Sequence, residues 1–113
     1  MNLQELIQTL DLTLLTNSKD FGQIVPTGGY CADLLSCVMA GAGHQAIWVT
    51  LQSHANIVAV AALLDLSAII ITEDAQPDTE TINKANEEGI TLLSIKKKSY
   101  EVCGLLWQAG LHE

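Results

Sequence analysis

Arginine is absent from this chain. Its five basic residues, Lys19, Lys84, Lys96, Lys97 and Lys98, are all lysines, set against 13 acids for a formal net charge of −8. A nucleic-acid partner needs a basic face, so that class is disfavoured. The missing guanidinium removes the usual two-pronged clamp on phosphate or carboxylate, which counts against phosphoryl transfer. Aromatic residues make up only 4%, so the core must be built from Leu, Ile, Val and Ala. Three cysteines, Cys31, Cys37 and Cys103, form no C-x-x-C pair, and an odd set at this spacing is neither a zinc site nor a disulfide framework. They read as reduced thiols of a cytoplasmic protein. The start, MNLQELIQTL, has no positive segment and no long apolar run, so no targeting peptide is expected. His44, His54 and His112 have no metal-ligand spacing, and no nucleotide-binding or cofactor motif occurs, so neither metal nor cofactor is expected.

Long hydrophobic runs are also lacking in the sense that matters for a membrane. Residues 55–72 are nearly all apolar, but Asp65 divides them. The first half is rich in Ala, Leu and Val and the second is β-branched, which predicts a buried helix, a tight turn and a buried strand and no membrane span.

What is present is a folded composition: 49% hydrophobic and 16% charged over 113 residues, enough for one modest core in one domain. Leu3, Leu6, Ile7 and Leu10 follow a helical spacing, and DLTLLT reads as a strand after it. Pro26, Gly28 and Gly29 mark a loop. ADLLSCVMAGAG reads as a helix with Leu34, Leu35, Val38 and Met39 on one face. Next come a strand AIWVTL, a helix ANIVAVAALLD capped by Ser53 with Asn56 assisting, and a strand SAIIIT. A helix started by Pro77, Asp78 and Glu80 and stopped by Gly89 leads to a strand ITLLSI. Ser99 is placed to cap a last helix whose Val102, Leu105, Leu106 and Ala109 face inward. Strands that are apolar throughout and alternate with helices predict an α/β fold, a three-layer α/β/α domain with a mostly parallel sheet of about four strands.

In such sheets ligands bind outside the carboxyl ends of the strands. Three loops fall there: Gln52, Ser53, His54, Ala55 and Asn56; Thr72, Glu73, Asp74, Ala75 and Gln76; and Lys96, Lys97, Lys98 and Ser99. Tyr30 and Asp33 reach the same rim, and the lysine triplet before a helix start is a candidate anion site. Ser53 and His54 are adjacent, and no G-x-S-x-G elbow surrounds them, so no catalytic serine is expected.

These segments carry a family likeness. The run from Gly29 reads G-Y-x-x-D-L-L-S, the entry at His54 reads H-x-N-I-x-A-V-A, and P-D-T-E-T-I-x-K-A-x-E-E-G-I-T-L-L-S follows from Pro77. Over residues 20–111 the chain resembles the DRTGG domain, above all its small stand-alone members. The resemblance implies a fold similar to the N-terminal domain of HPr kinase/phosphorylase. It also implies a regulatory or dimerising role, as in domains found beside CBS and phosphotransacetylase domains. Two positions depart from the pattern. Ser53-His54 stands where relatives often have Asp-Arg, and Glu73-Asp74 stands where they often have Gly-Gly.

The leading expectation is a non-catalytic regulatory or ligand-sensing module. It would form a homodimer through the N-terminal helix or the last helix, which carries Trp107, and would bind an unidentified small molecule. The alternative is an adaptor for a partner protein, whose acidic surface steers basic partners. A small enzyme using His54 as acid or base near Glu73 or Asp74 is the third.

Overall fold

Short, largely apolar segments form the middle layer, β-branched at its centre. In the computed structural model, which describes residues 1–113, β1 (Thr13–Leu14), β2 (Gly29–Cys31), β3 (Ile47–Thr50), β4 (Ala68–Ile71) and β5 (Leu92–Ser94) make one sheet in the order β1-β5-β4-β3-β2. β2 to β5 run parallel, and β1 is antiparallel to β5.

Every residue of β3 and β4 is buried, as the non-alternating apolar pattern requires. The pleat divides them between two cores. Trp48, Ile69, Ile71 and Leu92 pack under α2 (Leu35–Gly41), α3 (Asn56–Leu64) and α4 (Thr79–Glu88). Ile47, Val49, Ala68, Ile70 and Leu93 pack under α1 (Leu3–Leu10) and α5 (Ser99–Gln108). The fold is therefore a three-layer α/β/α sandwich with a mostly parallel sheet. It has five strands where composition predicted about four. The segment around Gly28 and Gly29 reads as loop, yet Gly29–Cys31 pairs in register with Ile47–Val49. Pairing with a distant strand overrides local composition there.

Helix ends follow the sequence unevenly. α1 starts with a capping box in which Asn2 and Glu5 bond each other's backbone N–H groups. α4 starts at Asp78, whose side chain accepts from Thr81 N–H, and stops at Gly89 with φ 71°. α3 ends at Asp65 in the left-handed region, and β4 follows, so the long apolar run folds as helix, turn and strand. No helix is long and apolar enough to cross a membrane. α2 differs from its predicted form. It begins at Leu35, and of the four residues predicted on one face only Val38 is fully buried, while Leu34 and Met39 are 65% and 48% exposed. A two-turn helix over the sheet edge has room to bury one side chain.

Strand order runs 2-3-4-5 without reversal, so the three right-handed crossovers put α2, α3 and α4 on one face. After β5 the chain crosses to the other face, where α5 packs Val102 and Leu106 into the second core. The connections leaving the adjacent strands β4 and β5 thus diverge to opposite faces.

Candidate functional site

The carboxyl-end rim carries the turns after β2, β3, β4 and β5, and the sequence-predicted residues divide among them. Asp33 serves the fold. Its Oδ1 accepts from Thr50 Oγ1 at 2.8 Å and from Leu51 N–H at 3.0 Å, and its carbonyl accepts from Gln52 Nε2 at 3.3 Å. Thr50 is fully buried, so its hydroxyl needs that partner. Tyr30 is half-buried against α2, close enough that a Cβ at Gly41 would come within 2.5 Å of its hydroxyl.

Ser53 does not cap α3. The residue before the helix is Ala55, itself helical in backbone, and no side chain caps the first turn from there. Ile57 N–H and Val58 N–H bond the carbonyls of His54 and Ala55, both at 3.1 Å, so backbone and not the serine closes the first turn. His54 does the local work instead: its Nδ1 accepts from Asn56 N–H at 3.1 Å. In the neutral ring this puts the proton on Nε2. A protonated His54 ring would also act on Asp78 by its charge. Asp78 is held below the usual carboxylate range first by Thr81 N–H, then by the Thr81 hydroxyl, and then by His54.

Ser99 is not a cap either. It is the first residue of α5, and its Oγ lies 2.5 Å from Thr72 Oγ1, which also reaches the Thr50 carbonyl at 3.3 Å. Thr72 is fully buried. These hydroxyls tie the ends of β3 and β4 to the start of α5.

Glu73 and Asp74 are exposed and adopt φ 60° and 58°, two successive left-handed residues. Their amides bond Lys97 O at 2.9 Å and Ile95 O at 3.2 Å, so the turn is held against the loop after β5. Glycine adopts this backbone freely and glutamate does not. The conformation is the one that a Gly-Gly pair would supply without cost.

A cavity of about 460 Å³ opens where the loops after β4 and β5 part. Asp74, Gln76, Lys96 and Lys97 line it, together with Asp11 and Thr13 from the turn between α1 and β1. Divergence of adjacent connections is what opens a crevice at the end of a parallel sheet. The rim thus brings Asp74, Lys96 and Lys97 together at one hollow, while Gln52, Ser53, His54, Asn56, Tyr30 and Asp33 line none of it. Gln76 closes the predicted loop after β4, while sequence reasoning missed Asp11 and Thr13. Both arrive because β1 is antiparallel, with Thr13 opposite Ser94. The one ion pair of the chain is His44–Asp65 at 3.2 Å, so Lys96, Lys97, Asp11 and Asp74 have no salt-bridge partner. A larger hollow of about 600 Å³ lies at the opposite end, among Lys19, Gln45, Asp65, Ser67 and Glu88. It abuts the carboxyl ends of α3 and α4, and Lys19 Nζ there already donates to Gly89 O. No three His, Cys, Asp or Glu side chains gather in a way that could hold a metal ion.

Comparison with curated proteins finds no match. Among solved structures, this chain is similar to the CBS and DRTGG domains of the regulatory region of Clostridium perfringens pyrophosphatase complexed with activator, diadenosine tetraphosphate. The similarity has a TM-score of 0.76 at 20% identity and takes in 96% of this chain but 46% of that one. This chain therefore spans less than half the length of that region, and the likeness is one of fold. The family comparison matches residues 5–109 to the DRTGG domain. With nearly the whole length matched, the chain belongs to the DRTGG domain family.

Proposed function

We propose that this chain is a non-catalytic regulatory module that senses a small charged metabolite in the cavity between the loops after β4 and β5. The carrying observation is the lining: Lys96 and Lys97 face the same hollow as Asp11 and Asp74, and none of the four is engaged in an ion pair. Two ammonium groups suit an anionic group on the ligand, and the carboxylates accept from its hydroxyls or amines. Catalysis has less support. His54 is engaged with the backbone of its own turn and lines no part of this hollow.

The solved relative is a regulatory region complexed with a dinucleoside polyphosphate. Nucleotides therefore lead the list of compounds to try, with other anionic metabolites behind them. A thermal-shift screen of that set is expected to find a ligand that raises the melting temperature. The double variant Lys96→Ala/Lys97→Ala should lose most of that rise while melting normally without ligand. A silent screen combined with capture of a protein partner would favour the adaptor role instead.

We also propose that two copies associate through the outer face of α2 and α3. No Asp, Glu or Lys occurs between Leu34 and Leu64. That stretch exposes Leu34, Met39 and Leu63, the last at 68%. Two chains that each carry −8 repel over most of their surface, and this face carries none of that charge. The outer face of α1, with Gln4, Glu5, Gln8 and Thr9, is polar and suits water.

A further inference from the structure

Cysteine placement carries an inference independent of the rim cavity. Along β2 the side chains alternate: Tyr30 packs with the core under α2 and α3, while Gly29 and Cys31 belong to the opposite face, where α5 lies. Cys103 comes from α5, one residue after the buried Val102 and three before the buried Leu106. Cys31 and Cys103 line the same small cavity of about 120 Å³, together with Val49, Leu106, Trp107 and His112. They are 72 positions apart in sequence and meet only because α5 folds back over the edge of the sheet. Cys31 is exposed at the strand edge and Cys103 is half-buried, so a small polar oxidant can reach the pair. The third cysteine, Cys37, lies on α2, which packs with the opposite core.

We infer that Cys31 and Cys103 form a redox-modification site, a dithiol that a peroxide converts to an intramolecular disulfide joining edge strand β2 to helix α5. The chemistry balances in two steps. A sulfur attacks the peroxide, the O–O bond breaks, a sulfenic acid forms and one water leaves. The second sulfur then displaces the hydroxyl, an S–S bond forms, and the second thiol proton departs with that hydroxyl as another water. Two thiols are oxidised and one hydrogen peroxide is reduced to two waters. The Cys31 thiol is pushed up to about 12, first by partial burial of its sulfur, then by the Cys103 thiol, and last by the charge of Asp33. The bond would fix the last helix on a sheet edge that is otherwise covered there by the backbone contact of Glu113 with Gly29 N–H.

The test uses the full-length Cys37→Ser chain, which removes the thiol able to link two copies from outside the pair. The folded protein is treated with dilute hydrogen peroxide, quenched in acid and denaturant, and read by thiol titration and intact mass. The expected result is a fall from two free thiols to none, a monomer two hydrogens lighter, and one peptide pair joining Cys31 to Cys103, all reversed by dithiothreitol. In the same background, Cys31→Ser and Cys103→Ser should each give no intramolecular link. Far-ultraviolet circular dichroism before treatment confirms that each variant is folded. The inference is overturned if two free thiols persist in the folded chain. It is equally overturned if the oxidised product carries sulfinic acids or intermolecular links in place of the Cys31–Cys103 bond.

Discussion

Glu73 and Asp74 hold the most informative backbone in the molecule. Both sit in the left-handed region, at φ 60° and 58°, and both are exposed. Non-glycine residues take up that conformation at a cost of about 1–2 kcal/mol each. Replacing glutamate by glycine relieves the cost and adds freedom to the unfolded chain, which offsets part of the gain. Glu73→Gly is therefore expected to raise the unfolding free energy by about 0.5–1 kcal/mol, measured by urea denaturation. A loss of stability would mean that the Glu73 side chain makes a favourable interaction that outweighs its backbone. The departure from Gly-Gly was visible in the sequence, but its meaning was not, because φ is set by the amides of Glu73 and Asp74 bonding back to Lys97 and Ile95. The same limit applied to Ser53. Its distance from a helix start suggested a cap, and only the actual first turn, closed by the carbonyls of His54 and Ala55, excludes it.

Among the elements, α4 was the most legible. Pro77, Asp78 and Glu80 gave its start and Gly89 its stop, since capping chemistry is local and needs no knowledge of neighbours. Asp78 also makes a pH prediction. Its folded pKa is depressed, first by Thr81 N–H, so the ionised cap stabilises α4 above the ordinary carboxylate range. That contribution is lost as pH falls through the folded value. Melting temperature followed from neutral to acid pH should fall less steeply in Asp78→Asn, which can still accept from Thr81 without titrating. Equal slopes in the two proteins would contradict the cap assignment. β2 and α2 were the least legible elements. Gly29–Cys31 is a strand only because β3 pairs with it, and α2 buries Val38 alone because it covers the outermost strand. Both outcomes depend on contacts distant in sequence, which composition does not record.

Over the whole molecule, the layered α/β/α architecture followed from helix and strand alternation, while the location of the cavity did not. It required knowing that α4 and α5 leave adjacent strands on opposite faces and that β1 adds an antiparallel edge beside β5. The rim as a whole was readable. The part of it that forms a hollow, with Asp11, Thr13 and Gln76 beside Asp74, Lys96 and Lys97, emerged only from the topology. Charge distribution also belongs to this scale. Its uncharged stretch from Leu34 to Leu64 gives a definite expectation for assembly. Sedimentation at micromolar concentration should report a dimer, and Met39→Glu/Leu63→Glu should convert it to a monomer without changing the fold. A monomer in the unaltered protein would contradict association through this face.

The most direct test of the account is residue-resolved NMR of the isotope-labelled protein during titration with a ligand found by thermal shift. Amide shifts are predicted to concentrate at Asp11 and Thr13, at Glu73 to Gln76 and at Ile95 to Lys97, around the cavity between the diverging loops. Shifts centred on Lys19, Gln45 and Ser67 at the opposite end of the sheet would contradict it.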